Sequence, residues 1–266
     1  MRAISFAIAL SLAAPAWAFE PSWPDISAAL FAPDSPSLAP DLIQIDSPYR
    51  TSDDARTHIG AKVTAPQGQL LSKVWLVLDE NPMPVSAVFA FDRPLPQFSF
   101  DATMRINGPT PLHVIAQTSN GALFMAEGHV KTSGQGACAA PPGTDPEEAL
   151  ATLGDMLLQF DEAGSLTGKL REMAGLDQRL SVDIQHPSHS GMQMDQISLL
   201  FIPMRYVDNL DIELDGQGYV DITGSISLSE NPALSLSVPA DTARAKVTLH
   251  DTDGTSRSAE IARPGY

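Results

Sequence analysis

The chain has 266 residues, with 32 acidic against 16 basic side chains and a net charge of -16. A surface that acidic repels nucleic acid and anionic lipid, which excludes polyanion-binding functions and suits a soluble protein or a basic partner. Aromatic residues make up only 6% of the chain while Pro numbers 22 and Gly 18, so any core must be built from short, often interrupted elements.

The first stretch, Met1-Arg2 followed by the apolar run from Ile4 to Leu10 and by Ala16-Trp17-Ala18, has the charged, apolar and small-x-small regions of a secretory signal peptide. Residues 1–18 are therefore expected to be removed after Ala18, and the mature protein to be exported to the periplasm. No later stretch approaches the roughly 20 apolar residues that a membrane helix needs. The single cysteine, Cys138, has no partner for an internal disulfide. In an oxidising compartment such a thiol is used, capped or paired between chains.

Residues 19–54 read as an extended lead-in with a short helix near Ile26 to Leu30. Four prolines from Pro33 to Pro48 rule out a regular element in that part.

Residues 55–133 change to short alternating segments: Ile59 to Thr64, Lys73 to Asp79, Val85 to Phe91, Phe98 to Ile106, Leu112 to Thr118 and Leu123 to Val130. They are rich in Val, Ile, Phe and Thr and bounded by Gly, Pro or Asn, as in an antiparallel sandwich. Phe98, Phe100, Ala102, Met104 and Ile106 alternate with Ser99, Asp101, Thr103 and Arg105, so one face is expected to be buried and one wet. Asn107-Gly108 and Asn120-Gly121 are expected hairpin turns, because the tightest of these need positive φ at both central residues.

Residues 134–178 form a cysteine loop and linker. Cys138 is bracketed by Gly134, Gly136, Ala137 and Ala139 and followed by Pro141-Pro142. Glycine opens backbone angles closed to other residues, and the two alanines leave the sulfur unshielded, so an exposed thiol is expected. A structural cysteine sits instead among bulky apolar neighbours. Further on, Thr144 reads as a helix N-cap, with Pro146 in the first turn and Glu147 closing a capping box. Gly154 then ends a short helix and Met156 to Phe160 continue as a strand.

Residues 179–266 form a second sandwich, with strands at Leu180 to Gln185, Ile197 to Ile202, Leu210 to Leu214, Tyr219 to Thr223, Ala233 to Val238, Ala245 to His250 and Ser256 to Ile261. Asp215-Gly216 and Asp253-Gly254 mark hairpins. Val114, Gly121, Ala126 and Glu127 recur as Val247, Gly254, Ala259 and Glu260, at a constant offset, which suggests that both modules end in an equivalent hairpin. The fold expected is all-β: two sandwich domains joined by a linker with a short helix.

The thiolate is the reactive form of cysteine, and at an ordinary pKa of about 8.5 only about 3% is ionised at pH 7. The nearest basic residues, His129 and Lys131, precede the loop, so activation by a partner is the simpler expectation. His186, His189, Met192 and Met194 form a His/Met cluster of a kind that binds copper, but Pro187, Ser188, Ser190 and Gly191 read equally as a turn, and no metal or other cofactor is assigned. His58, His113 and His129 are scattered, and no nucleophile-elbow, zincin or phosphate-loop motif occurs. Asp53-Asp54 and Glu147-Glu148 read as solvated pairs.

The chain resembles the two subunits of the Sox sulfur-carrier complex fused in one chain, and among them the SoxYZ-like carriers associated with quinoprotein dehydrogenases. In the Y half the resemblance rests on Asp79-Glu80-Asn81-Pro82-Met83-Pro84-Val85, on Thr118-Ser119-Asn120-Gly121 with Met125-Ala126, and on the Gly-bracketed cysteine. In the Z half it rests on His186-Pro187-Ser188-His189-Ser190-Gly191-Met192, on Ile202-Pro203 and on Ser229-Glu230-Asn231-Pro232. It implies immunoglobulin-like sandwiches in both halves and a covalent attachment site for cargo at Cys138, with no catalytic constellation of the chain's own. The implied partners are periplasmic enzymes, such as a quinoprotein dehydrogenase or its cytochrome. The alternative function is a non-covalent binding or assembly module for that dehydrogenase. The family's Y subunit ends in Gly-Gly-Cys-Gly-Gly, whereas here alanines flank the cysteine and the chain continues.

Overall fold

The computed structural model describes residues 22–134, 137, 150–160, 178–194 and 199–263. A helix, α1 (Trp23–Phe31), is followed by β1 (Ser37–Leu38), β2 (Ile43–Asp46), β3 (Thr57–Thr64), β4 (Leu71–Leu78), β5 (Val85–Leu95), β6 (Gln97–Met104), β7 (Thr110–Thr118) and β8 (Leu123–Val130). The second half contains β9 (Met156–Phe160), β10 (Gln178–Ile184), β11 (Val207–Leu214), β12 (Gln217–Thr223), β13 (Ala233–Val238), β14 (Arg244–Asp251) and β15 (Ser256–Ala262). The fold is all-β, with immunoglobulin-like sandwich domains.

Two sheets run through both halves. The larger has the order β1-β8-β7-β4-β5-β12-β11-β14-β15, and the smaller β2-β3-β6-β13-β10-β9. In each half the first and fourth strands of a six-strand unit, β3 and β6 or β10 and β13, lie in the smaller sheet, and the other four lie in the larger one. The unit is thus duplicated. The suspected repeat marks it at residue level: Val114 pairs with Ala126 across β7 and β8, and Val247 pairs with Ala259 across β14 and β15.

The units meet edge to edge. β5 pairs antiparallel with β12, from Val88 opposite Thr223 to Phe91 opposite Val220, and β6 pairs with β13 through Phe100 opposite Leu236. Joining both sheets at one seam removes four strand edges that would otherwise be open to aggregation. It also merges the cores, since Phe89, Phe98 and Phe100 belong to the same buried cluster as Leu234, Leu236, Ile212 and Val247. Phe89 stacks on Phe100 at 4.5 Å and meets Phe98 at 5.4 Å. Buried polar groups lock the seam. Asn81 donates to Arg105 O (2.8 Å) and Ser227 Oγ (2.9 Å), and the Arg105 guanidinium reaches Leu228 O at 2.9 Å.

Helix α1 is longer than expected because its apolar face has a second surface to cover. Val74, Leu76 and Leu78 face the main core, while Trp75 and Val77 face the other way, toward Phe31, Ile115 and Met125. Phe31 meets Trp75 edge-on at 5.4 Å. An uninterrupted apolar run of this kind signals a strand buried on both faces.

Several expectations need correction. The proline-rich part of the lead-in does contain regular structure: β1 pairs with β8 and β2 with β3. Both strands fit between prolines and sit at sheet margins, where a missing N–H costs least. Asn107-Gly108 is a crossing between sheets and not a hairpin, since β6 and β7 lie in different sheets. Asn107 there donates its N–H to Asn81 Oδ1 at 3.1 Å. Of the strand expected at Ile197 to Ile202, residues 197 and 198 lie outside the described residues and 199–202 belong to no named strand; Phe201 makes an isolated bridge with Met194. Asp54 is not solvated but 1% exposed, and Thr103 and Arg105, expected on the wet face, are buried because both bond to the second half, Thr103 to Ser229 Oγ at 2.7 Å and Arg105 to Leu228 O at 2.9 Å.

The other turn signals hold. Gly121 has φ 90°, and Asp215 and Gly216 have φ 51° and 76° in the β11–β12 hairpin. Leu150 and Ala151 are helical, and Gly154, at φ 79°, precedes β9 as expected. The Thr144 cap and Glu147-Glu148 lie outside the described residues.

Candidate functional site

The chain that leads into the cysteine loop leaves β8 and runs beside the segment Tyr49 to Asp54. The Thr51 N–H donates to Lys131 O and the Lys131 N–H to Tyr49 O, both at 2.9 Å. Arg50 Nη1 donates to Thr132 O at 2.7 Å, and the Lys131 ammonium lies 4.7 Å from the centre of the Tyr49 ring. The buried Asp54 then takes the next two amides: Ser133 N–H donates to Oδ1 at 2.6 Å and Gly134 N–H to Oδ2 at 3.2 Å. Gly134 has φ 95°, in the left-handed region that glycine enters without strain.

Of the residues singled out in sequence, Gly134 is therefore exposed and held at its N–H. Ala137 is 2% exposed, which departs from its expected role as an unshielding neighbour. Gly136, Cys138 and Ala139 lie outside the described residues. Asp54 was missed because adjacent aspartates in a polar turn give no sign of which one turns inward.

The His/Met cluster does not converge. His186 is 1% exposed, its Nδ1 accepts the Ser188 N–H at 3.0 Å and its Nε2 faces Asp251 Oδ2 at 3.5 Å. His189 instead engages Gln193 Oε1 at 2.8 Å, and Met192 and Met194 are exposed. Burial pushes the His186 imidazole down to about 4, although Asp251 pulls the other way. Burial would raise Asp251, but the Arg205 guanidinium, at 2.7 Å, and the Thr255 N–H hold its carboxyl below the usual range. Ser188, His186 and Asp251 follow one another as in a hydrolytic triad, and Ser188 is fully buried.

His113 likewise serves the fold. Its Nδ1 lies 2.9 Å from Asp79 Oδ1, both side chains are buried, and Trp23 of α1 stacks on the imidazole at 3.8 Å. His58 pairs with Asp101 at the surface.

Two surface features remain. Acidic charge gathers on the larger sheet near the seam, where Asp211 directly faces Asp221. Burial raises the Asp211 carboxyl, and Glu213, Asp221 and Asp92 raise it further. Residues 189–194 and 199–205 lie side by side through the bridges His189–Arg205 and Met194–Phe201, and expose Met192, Met194, Leu199, Leu200, Phe201 and Met204.

Comparison with known proteins places these features in a family. The family described as "Sulfur oxidation protein SoxY" matches residues 27–138, and that described as "Sulphur oxidation protein SoxZ" matches residues 171–262. Among solved structures, the sulfur carrier protein SoxY from Chlorobium limicola f thiosulfatophilum is 23% identical over 42% of this chain and 96% of its own, with a TM-score of 0.33. A superoxide reductase (neelaredoxin) from Ignicoccus hospitalis is 16% identical over 34% of this chain and 79% of its own, with a TM-score of 0.28. No curated protein matches the chain. With a SoxY domain and a SoxZ domain in tandem, sharing both sheets, the chain belongs to the SoxYZ sulfur-carrier family as a single-chain fusion.

Proposed function

We propose that the protein is a periplasmic carrier that holds a sulfur-containing or other substrate fragment covalently on Cys138 and presents it to partner enzymes. The observation that carries this reading is that the SoxY match, residues 27–138, ends on the only cysteine of the chain. The signal peptide expected at residues 1–18 belongs to the same reading, because export places the thiol where oxidised sulfur linkages persist.

The chemistry dictates what kind of partner is needed. Joining a thiol R–SH to a second thiol X–SH as R–S–S–X releases two protons and two electrons, so loading needs an electron acceptor. Release by attack of a third thiol on the disulfide needs none. A quinoprotein dehydrogenase or its cytochrome is an acceptor of the right class. The acidic seam around Asp211 and Asp221 suits a basic docking face on such a protein. The chain itself contributes scaffold and thiol, with the chemistry done by the partner.

A second reading, a non-covalent docking or assembly module for the dehydrogenase, is favoured by the exposed apolar segment from Met192 to Met204. The two part on one substitution. A strain carrying Cys138→Ser should lose the oxidation that depends on this protein, measured as substrate consumption by whole cells. Retention of the full rate would leave the docking module as the better account.

A further inference from the structure

We infer that residues 189–194 and 199–205 of the Z half form the docking surface for a partner protein whose own face is apolar at its centre and basic at its rim. The inference rests on the docking reading and deepens it, and it serves the carrier reading too, since a cargo is presented only by docking. Half of the twelve large apolar side chains exposed among the described residues lie here: Met192, Met194, Leu199, Leu200, Phe201 and Met204, between 41% and 70% exposed. At roughly 150–200 Å² for a fully open side chain of this size, the patch presents on the order of 600 Å². A standard interface takes about 800 Å² from each partner, and monomers rarely leave apolar patches above a few hundred Å² open. The backbone beneath the patch is fixed. Ile202 N–H donates to Gln193 O at 2.8 Å and Arg205 N–H to His189 O at 3.0 Å. Arg205 donates to Asp251 Oδ2 and Thr255 Oγ1, each at 2.7 Å, which pins the second segment to the β14–β15 turn. A braced backbone spares the partner the cost of ordering the surface it meets.

Charge selects the occupant. Residues 189–194 and 199–205 contain no carboxylate, within a chain of net charge -16. Asp253, 70% exposed, stands at the margin of the patch, 3.4 Å from Arg205. A second copy would bring two such acidic surfaces together around the patch, and an anionic membrane is repelled in the same way. A face with apolar anchors and a rim of Lys or Arg is complementary to both features, the anchors filling the centre and the rim meeting the surrounding acid. Met192, Met194 and Met204 add adaptability, because unbranched thioether side chains repack against differently shaped partners. A carrier handed from one enzyme to the next uses such a surface more than once.

The test measures the binding of two synthetic helical peptides to the full mature chain by fluorescence anisotropy. Both carry leucines at the same positions, and one has lysine and the other glutamate at every polar position. The lysine peptide should bind the wild type, and Leu200→Ser with Phe201→Ser should weaken it at least tenfold. Leu157→Ser, at a 57% exposed leucine on β9, should leave it unchanged. The glutamate peptide should bind at least tenfold more weakly than the lysine peptide. If the double variant fails to fold, Phe201→Ala alone decides, with at least a threefold loss expected. Equal binding of the lysine peptide to wild type and variant overturns the inference, as does equal binding of the two peptides. So does a concentration-dependent dimer in sedimentation, or flotation with phosphatidylglycerol vesicles, that the double variant abolishes, because a second copy or a membrane is then the occupant. The peptides need no thiol, so a Cys138→Ser background should give the same result. Failure of the carrier reading is read separately, as absence of any cargo mass on Cys138, and failure of the docking reading as loss of the whole-cell rate in Cys138→Ser.

Discussion

His186 shows how a residue that looks like a metal ligand in sequence is used by the fold. Its imidazole is sealed between Ser188 and Asp251, and burial holds it neutral down to about 4. An unfolded chain protonates the same histidine near 6.5, so between about pH 6.5 and 4 the unfolded state binds more protons and stability falls with acidification. The full contribution is present above about pH 6.5 and is on the order of 3 kcal/mol. The depressed Asp251 acts only at lower pH, because a carboxyl below its usual value loses its contribution as pH drops through that lower value. Urea unfolding of the wild type should show this slope between pH 6.5 and 4.5, and His186→Gln should flatten it; a variant with an undiminished slope would assign the effect elsewhere. Residue-scale features of this kind are the least legible in sequence. Asp54 and its neighbour Asp53 look alike on paper, and only the tertiary path of residues 131–134 distinguishes them. The same holds for His113, whose partners Asp79 and Trp23 lie far from it in the chain.

At the scale of elements, alternation was informative wherever one face of a strand is wet. Phe98, Phe100 and Ala102 in β6 have the predicted inward phase, and β7–β8 and β11–β12 close at the expected Gly-containing turns. What alternation does not encode is which sheet receives the next strand. Asn107-Gly108 has the composition of a hairpin turn, but Asn81 captures it and β7 crosses to the larger sheet. The seam was hidden for the same reason, since an edge strand that pairs with another domain has the pattern of one that pairs within its own. The seam's polar lock makes a testable element. Arg105 is 3% exposed and its guanidinium satisfies carbonyls of the Ile226–Leu228 loop. Arg105→Ala strands those acceptors and should cost about 3 kcal/mol in chemical unfolding. A cost below about 0.5 kcal/mol would mean that the seam is held by its apolar pairs alone.

At the scale of the molecule, two family domains have become one folding unit. They share both sheets and one buried cluster, so neither half can unfold without exposing Phe100 or Leu236 and opening two ladders. Unfolding followed by tryptophan fluorescence, which reports on the first half through Trp75, should coincide with that followed by far-UV circular dichroism, which reports on both. Two separated transitions would show that the halves are independent despite the shared sheets. The duplication was legible in the repeated Val, Gly, Ala and Glu positions, whereas the sharing of sheets was not, because it depends on contacts between strands far apart in the chain. Fusion also gives a fixed stoichiometry of scaffold to thiol and ties Arg56 of the first half to Glu230 O and Asn231 O of the second.

All of this structure serves one proposed chemical event, the loading of Cys138. The most direct test is the intact mass of the protein isolated from its native periplasm under non-reducing conditions, before and after reductant, beside a Cys138→Ser control. A mass excess that reductant removes and the control lacks is the predicted result, and its size limits the cargo to a few chemical candidates. An unmodified thiol, found while the partner system is turning over, would contradict the carrier account.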